Sequence, residues 1–215
     1  MSKTKTLWKR SKKTLYGCQN LKEAIKLPER EDLNEWLAVN TTDCFRQLNL
    51  LYGSITEFCT PALFPVMNAG RFEFRWVPFS EDPDKKQKAV KLSAPQYIDN
   101  FITWLQDTQQ NENVFPVNKN QNFPATFLLY IKFAFKQMLR IYAHIYYEHF
   151  EKILKLGEEP HLNTCFLHFY YLCTEFSLVK EEYFKPLEGL VENLEEGFKL
   201  HARRDRHKKE KSRGH

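Results

Sequence analysis

Two groups of residues in this 215-residue chain have types and spacings that could do chemistry. In the first, Lys132, Lys136, Arg140 and His144 recur at every fourth position of an otherwise apolar run, which lines them up as a ridge along a helix. Such a ridge attracts anions, a phosphorylated partner above all, because lysine and arginine make charge-assisted hydrogen bonds to phosphate oxygens. The plain alternative is the solvated edge of a core helix, or pairing with acids elsewhere. The second group is His144 with His149, joined from a distance by Cys59. Thiolate sulfur and imidazole nitrogen are good zinc donors, but residues five apart on an ideal helix point about 140° away from each other, a poorer arrangement than i, i+4. A closed structural site also needs a fourth ligand, and ordinary core or surface histidines are the alternative. No G-x-x-x-x-G-K-[ST], G-x-G-x-x-G, G-x-S-x-G, C-x-x-C or H-E-x-x-H pattern occurs. Their absence counts against the common nucleotide-binding, hydrolase and zinc-protease classes.

The elements that must position these residues are mostly helical. A short helical turn holds Leu21, Ala24, Ile25 and Leu27 and stops at Pro28. Over 31–52, Leu33, Leu37, Cys44, Leu48 and Leu51 share one narrow stripe at about 100° per residue. The opposite arc carries Asp32, Glu35, Val39 and Asp43, flanked by Trp36 and Asn40, so this helix has an acidic outer face. Its first acids, Glu31 and Asp32, also suit the positive end of the helix dipole. Residues 53–70 form an irregular connection; the alternation from Arg71 to Trp76 then predicts a half-buried strand, with Val90 to Leu92 returning beside it as a hairpin. Ser93-Ala-Pro95 is a helix start leading an apolar face of Tyr97, Ile98, Phe101, Trp104 and Leu105. After an Asn/Gln-rich loop over 109–122, Pro124 opens a long apolar helical run extending to Leu156, central to the core. Thr164 to Phe176 reads as a further helix, and Leu187, Leu190, Val191, Leu194 and Phe198 mark a last amphipathic one. The expectation is a mainly α, single-domain helical bundle with a small β-hairpin.

Charge is distributed unevenly. Of 32 basic residues, six lie in 1–13 and eight in 199–215, leaving 18 against 25 acids in 14–198. The body is therefore acidic, with a net of −7, and the nominal +5 belongs to the ends. A polyanion-binding role for the basic stretch His201 to Arg213 is weakened because no aromatic residue is interleaved there to stack on bases. Five cysteines at irregular spacings (Cys18, Cys44, Cys59, Cys165, Cys173), with no secretory-type leader, point to a reducing cytoplasmic or nuclear compartment. No apolar run approaches the roughly 18–20 residues that a bilayer requires.

Several stretches resemble the Mob (Mps-one-binder) family. They are Leu27-Pro with Glu31-Asp-Leu-Asn-Glu-Trp-Leu-Ala-Val-Asn-Thr41, Leu51-Tyr-Gly-Ser-Ile-Thr-Glu-Phe-Cys59, Pro65-Val-Met-Asn-Ala-Gly70, Ser93-Ala-Pro-Gln-Tyr97, Arg140-Ile-Tyr-Ala-His-Ile-Tyr146 and His161-Leu-Asn-Thr164. The likeness runs from about residue 20 to about 195. It frames a Mob-like domain over 20–198 between a basic segment, 1–19, and a basic tail, 199–215. The motifs are closer to the members that activate NDR/LATS kinases than to phocein.

The resemblance implies a monomeric, non-catalytic adaptor that binds and coactivates an NDR/LATS-type kinase. Glu31, Glu35, Trp36, Val39, Asn40 and Asp43 match the positions that meet a basic helical segment preceding the kinase domain. Lys136 and Arg140 match a surface that takes phosphorylated segments of upstream Hippo-pathway kinases or scaffolds; Gln137 stands where activating members carry a further cation. The family's zinc pattern is matched at Cys59, His144 and His149, while Phe64 occupies the position of the second cysteine, so zinc is expected to be weak or absent. Three rivals follow: a diverged Mob scaffold without phosphate recognition, a zinc hydrolase using the open fourth position, and a polyanion binder acting through its ends.

Overall fold

The computed structural model describes residues 14–15, 21–82, 84–85, 87–118 and 121–197. The basic tail 199–215, and the basic N-terminal segment apart from 14–15, lie outside the described residues, as does Phe198. The chain forms helices α1 (Leu21–Ala24), α2 (Leu33–Gly53), α3 (Ala94–Gln110), α4 (Phe127–His144), α5 (Phe150–Leu156) and α6 (Glu159–Glu175). Short 3₁₀ segments cover Thr56–Phe58 and Glu181–Leu187, and a last helix, α7, spans 190–197. The mainly α expectation holds.

Each helix begins where its local chemistry allows. Asp32 caps α2 by accepting from the amides of Asn34 and Glu35 at 2.8 and 3.0 Å. Ser93 and Gln96 form a reciprocal capping box at the start of α3, with Pro95 in the first turn. Helix α6 starts five residues before the expected Thr164, because Pro160 sits in the first turn, where its missing N–H costs nothing. Gly157, at φ 75°, ends α5 in the left-handed conformation.

The apolar stripe of α2 packs on α4 and α6. Leu37, Cys44, Leu48 and Leu51 are buried, whereas Leu33 at the helix end remains exposed. The core around α4 is aromatic: Phe135 stacks on Phe169 at 5.3 Å between centroids, and Tyr142 contacts both Phe166 and Phe169. Fully burying one such ring stabilises by roughly 1.5–3 kcal/mol, so α4 and α6 form the main inner layer.

The expected strand over 71–76 is present in its alternation but short in its ladder. Phe72–Glu73 pairs antiparallel with Asn68–Ala69, and Trp76 exchanges both backbone hydrogen bonds with Val90 as an isolated bridge. Phe72, Phe74 and Trp76 face inward while Arg71, Glu73 and Arg75 stay exposed. The run opened by Pro124 does continue to Leu156, but as α4, a π turn over Ile145–His149, and α5. Tyr146 donates to Asn163 of α6, Tyr147 to the Pro186 carbonyl, and Glu148 accepts from the Asn68 amide and the Gly70 N–H. Three successive residues are thus anchored to three different elements, which the wider turn accommodates.

Candidate functional site

The outer face of α2 is open at its N-terminal end. Glu31, Glu35 and Val39 are exposed, Val39 to 59%. Trp36 is half-buried and its indole N–H donates to the Ile25 carbonyl at 3.1 Å, which ties α1 against α2. Asn40 is buried and donates to the carbonyl of Trp36 in its own helix, so it sits inside the helix packing instead of flanking an exposed arc. Asp43 is half-exposed and paired with Arg46 at 2.9 Å. The accessible part of the six-residue set is therefore Glu31, Glu35, Val39 and the edge of Trp36.

The cationic ridge divides along α4. Each four-residue step advances about 40° beyond a full turn, so the side chains drift from solvent into the core. Lys132 is exposed, Lys136 and Arg140 are half-buried, and His144 is fully buried. Lys136 and Arg140 line a cavity of about 210 Å³ together with Phe74, Tyr183 and Pro186. Lys136 lies over the Tyr183 ring at 4.6 Å, and Arg140 over Phe74 at 5.4 Å. Arg140 donates to the Tyr97 hydroxyl at 2.7 Å, to the Arg75 carbonyl at 3.3 Å and to Gln137 Oε1 at 3.4 Å. Gln137 is 1% exposed, accepts a short hydrogen bond from Tyr97, and stands behind Arg140 instead of in the cavity. Sequence spacing offered no sign of Tyr183 or Phe74 at this place, because their segments reach α4 only through the tertiary fold.

The π turn brings the two histidines together. On an ideal helix they would diverge; one wider turn puts i and i+5 on a common side. His149 Nε2 lies 3.2 Å from His144 Nε2, which lies 3.6 Å from Cys59 Sγ, and the three donor atoms fall within 4.8 Å of one another. His144 Nδ1 is 2.7 Å from the Asn68 carbonyl. That oxygen can only accept, so Nδ1 carries the proton and Nε2 presents its lone pair to the cluster. Burial holds the pKa of both imidazoles down to about 4, so both are neutral at neutral pH. Burial pushes the Cys59 thiol up to about 11, against a lowering hydrogen bond from Tyr52.

This donor set could hold a metal ion, but not in a closed site of four protein ligands. Among the described residues no fourth His, Cys, Asp or Glu joins the group. The Phe64 ring stands there instead, its centroid 5.2 Å from the His144 ring and 4.8 Å from that of His149. A three-donor site fits the residues; a four-ligand zinc site does not.

Fold and site together define a helical scaffold whose central helix turns around a buried thiol–imidazole cluster. The chain belongs to the Mob1/phocein family, whose pattern matches residues 12–187. It is 51% identical to "MOB kinase activator-like 1 homolog B" of Dictyostelium discoideum over 194 residues, 90% of this chain and 88% of that protein. It is 50% identical to the homolog A of the same organism over 179 residues, 83% and 82% of the two chains. It is 46% identical to "MOB kinase activator-like 1A" of Arabidopsis thaliana, over 83% of this chain and 81% of that one.

Proposed function

We propose that this protein is a non-catalytic kinase coactivator that docks the basic N-terminal regulatory segment of an NDR/LATS-type serine/threonine kinase on the outer face of α2. The observation that carries the reading is that Glu35 and Val39, with Glu31 just before the N-cap, are exposed on a helix whose opposite stripe is core, in a body of net −7. Such a face attracts a basic amphipathic helix without any cost to the fold, with Val39 and the edge of Trp36 as its apolar centre. The printed names of the relatives above, kinase activators, support the same class. The protein acts as a monomer in the cytoplasm or nucleus, without specific nucleic-acid recognition; no described helix is long and apolar enough to cross a membrane.

The cavity beside Lys136 and Arg140 is the proposed seat of a phosphorylated segment from an upstream Hippo-pathway kinase or scaffold. Two cations converge there, and Tyr97 fixes the guanidinium. The second reading, a scaffold without phosphate recognition, draws on the neutral Gln137 and on the hydrogen bonds Arg140 already makes. The Cys59, His144 and His149 donors would hold any metal ion, which would supply folding free energy and no catalytic step. Recovery of the endogenous partner by affinity capture and mass spectrometry tests the reading. An NDR/LATS-type kinase lost on Glu35→Lys supports it, whereas such a kinase retained on the folded variant excludes this face.

A further inference from the structure

We propose that the Cys59, His144 and His149 cluster is a three-coordinate pocket selective for a soft monovalent ion, Cu(I), in place of the four-coordinate zinc centre that the family pattern implies. Three independent features of this chain point the same way. The first is geometry. Three donors spread at about 120° around a common ion at metal–ligand lengths of about 2.0–2.3 Å lie about 3.5–4.0 Å apart. Two of the three separations here are 3.2 and 3.6 Å, and all three donor atoms lie within 4.8 Å of one another, so shifts of about an ångström or less would close the set.

The second feature is the missing fourth direction. Zinc completes its tetrahedron with a protein ligand or a water. Here the phenyl ring of Phe64 packs against both imidazoles at 4.8 and 5.2 Å between centroids. Its backbone is fixed on both sides: its N–H donates to the Thr60 carbonyl at 2.8 Å, and its carbonyl accepts from Ala94 at 3.0 Å. An aromatic ring there offers no lone pair and excludes water from the position. Cu(I), with a filled d shell and soft character, accepts three donors and favours thiolate with imidazole.

The third feature is charge. Cys59 and His149 are nearly inaccessible and His144 wholly so. Zn(II) with two thiolates is neutral, but Zn(II) with the single thiolate of Cys59 leaves one net positive charge in a buried site, which is costly. Cu(I) with one thiolate is neutral. Two ionic groups that act on the ligands oppose one another: Lys152, over the Phe58 ring at 4.3 Å, acts on His149, and Asp99 acts on Cys59 with the opposite sign. Tyr52, hydrogen-bonded to the sulfur, adds no second anion, since a phenol is neutral at neutral pH.

The test is a pair of competition titrations on metal-free, reduced, full-length protein handled without oxygen. Cu(I) is titrated against bicinchoninate and Zn(II) against a chromophoric chelator. Cys59→Ser controls for the other thiols, of which Cys44, Cys165 and Cys173 are buried. One tight Cu(I) equivalent is expected, lost in Cys59→Ser. Phe64→Cys should strengthen Zn(II) binding by at least about a hundredfold while changing Cu(I) binding less than about tenfold. X-ray absorption on Cu(I)-loaded wild type, which needs no variant to fold, should read one sulfur and two nitrogens. Chelator-resistant four-coordinate zinc in the wild type, a Cu(I) equivalent that survives Cys59→Ser, or equal gains for both ions in Phe64→Cys would each overturn the inference.

Discussion

Gln137 occupies a position where a cation is expected from the family pattern, yet it is 1% exposed and behind the cavity. It should therefore act by holding Tyr97 and Arg140 in place. Gln137→Met keeps the length and apolar contacts of the side chain and replaces the carboxamide, so the Oε1 acceptor is lost together with Nε2. The hydroxyl proton of Tyr97, a fully buried residue, then has no acceptor, although its oxygen still accepts from Arg140. Leaving one buried donor unsatisfied costs about 1–3 kcal/mol. For a chain of this size that is a fall of about 2–12 °C in melting temperature. Tyr97→Phe removes the stranded donor, so the double variant should recover about 1–2 kcal/mol of the summed single losses. The assay is a double-mutant cycle by urea unfolding, with phosphopeptide titration alongside. Gln137→Met should weaken peptide binding a few-fold because Arg140 loses its brace. If Gln137→Met unfolds like wild type and its effect is additive with Tyr97→Phe, the brace does not exist.

Three further outcomes follow from the geometry. Gly70 has φ 57°, and a Cβ there would lie 2.7 Å from the Tyr147 ring; Gly70→Ala should thus destabilise by more than about 1 kcal/mol, read by thermal melting. Ser93→Ala deletes the capping box of α3 and should cost about 0.5–2 kcal/mol, with Ser93→Asp restoring most of it. The His168 pKa is lowered by burial, against an upward pull from Asp43. The unfolded chain therefore takes up this proton more readily, so the contribution of His168 is complete above the ordinary histidine value and shrinks as pH falls below about 6.5. His168→Gln should flatten that part of the stability–pH curve.

Much of the frame was legible because it depends on local rules. The stripe from Leu37 to Leu51 placed α2 to within two residues, and Ser93-Ala-Pro95 located the start of α3. The π turn was not legible. It arises from anchors on Asn163, Pro186 and the 68–70 hairpin, all remote in sequence, and it is what reconciles His144 with His149. The four-residue spacing suggests one continuous ridge, whereas the 40° drift per step divides it between solvent, cavity and core. Helical spacing sets Asn40 beside the acidic arc of α2, but its side-chain bond to the Trp36 carbonyl withdraws it. Strand length failed for a related reason: alternation from Arg71 to Trp76 fixes which side chains face inward, while the ladder depends on whether a partner strand is alongside.

The central claim is that the outer face of α2 receives a basic kinase segment, and a charge swap tests it most directly. Full-length protein is titrated calorimetrically with a synthetic basic helical peptide from the regulatory segment of an NDR/LATS-type kinase, at low and physiological salt. Glu35→Lys should weaken binding by about tenfold or more at low salt and less at high salt, with the melting temperature changed by no more than a few degrees. Reversing the facing basic residue of the peptide should restore affinity for Glu35→Lys alone. Equal binding of the original peptide to wild type and folded Glu35→Lys, at both salt concentrations, would contradict the account.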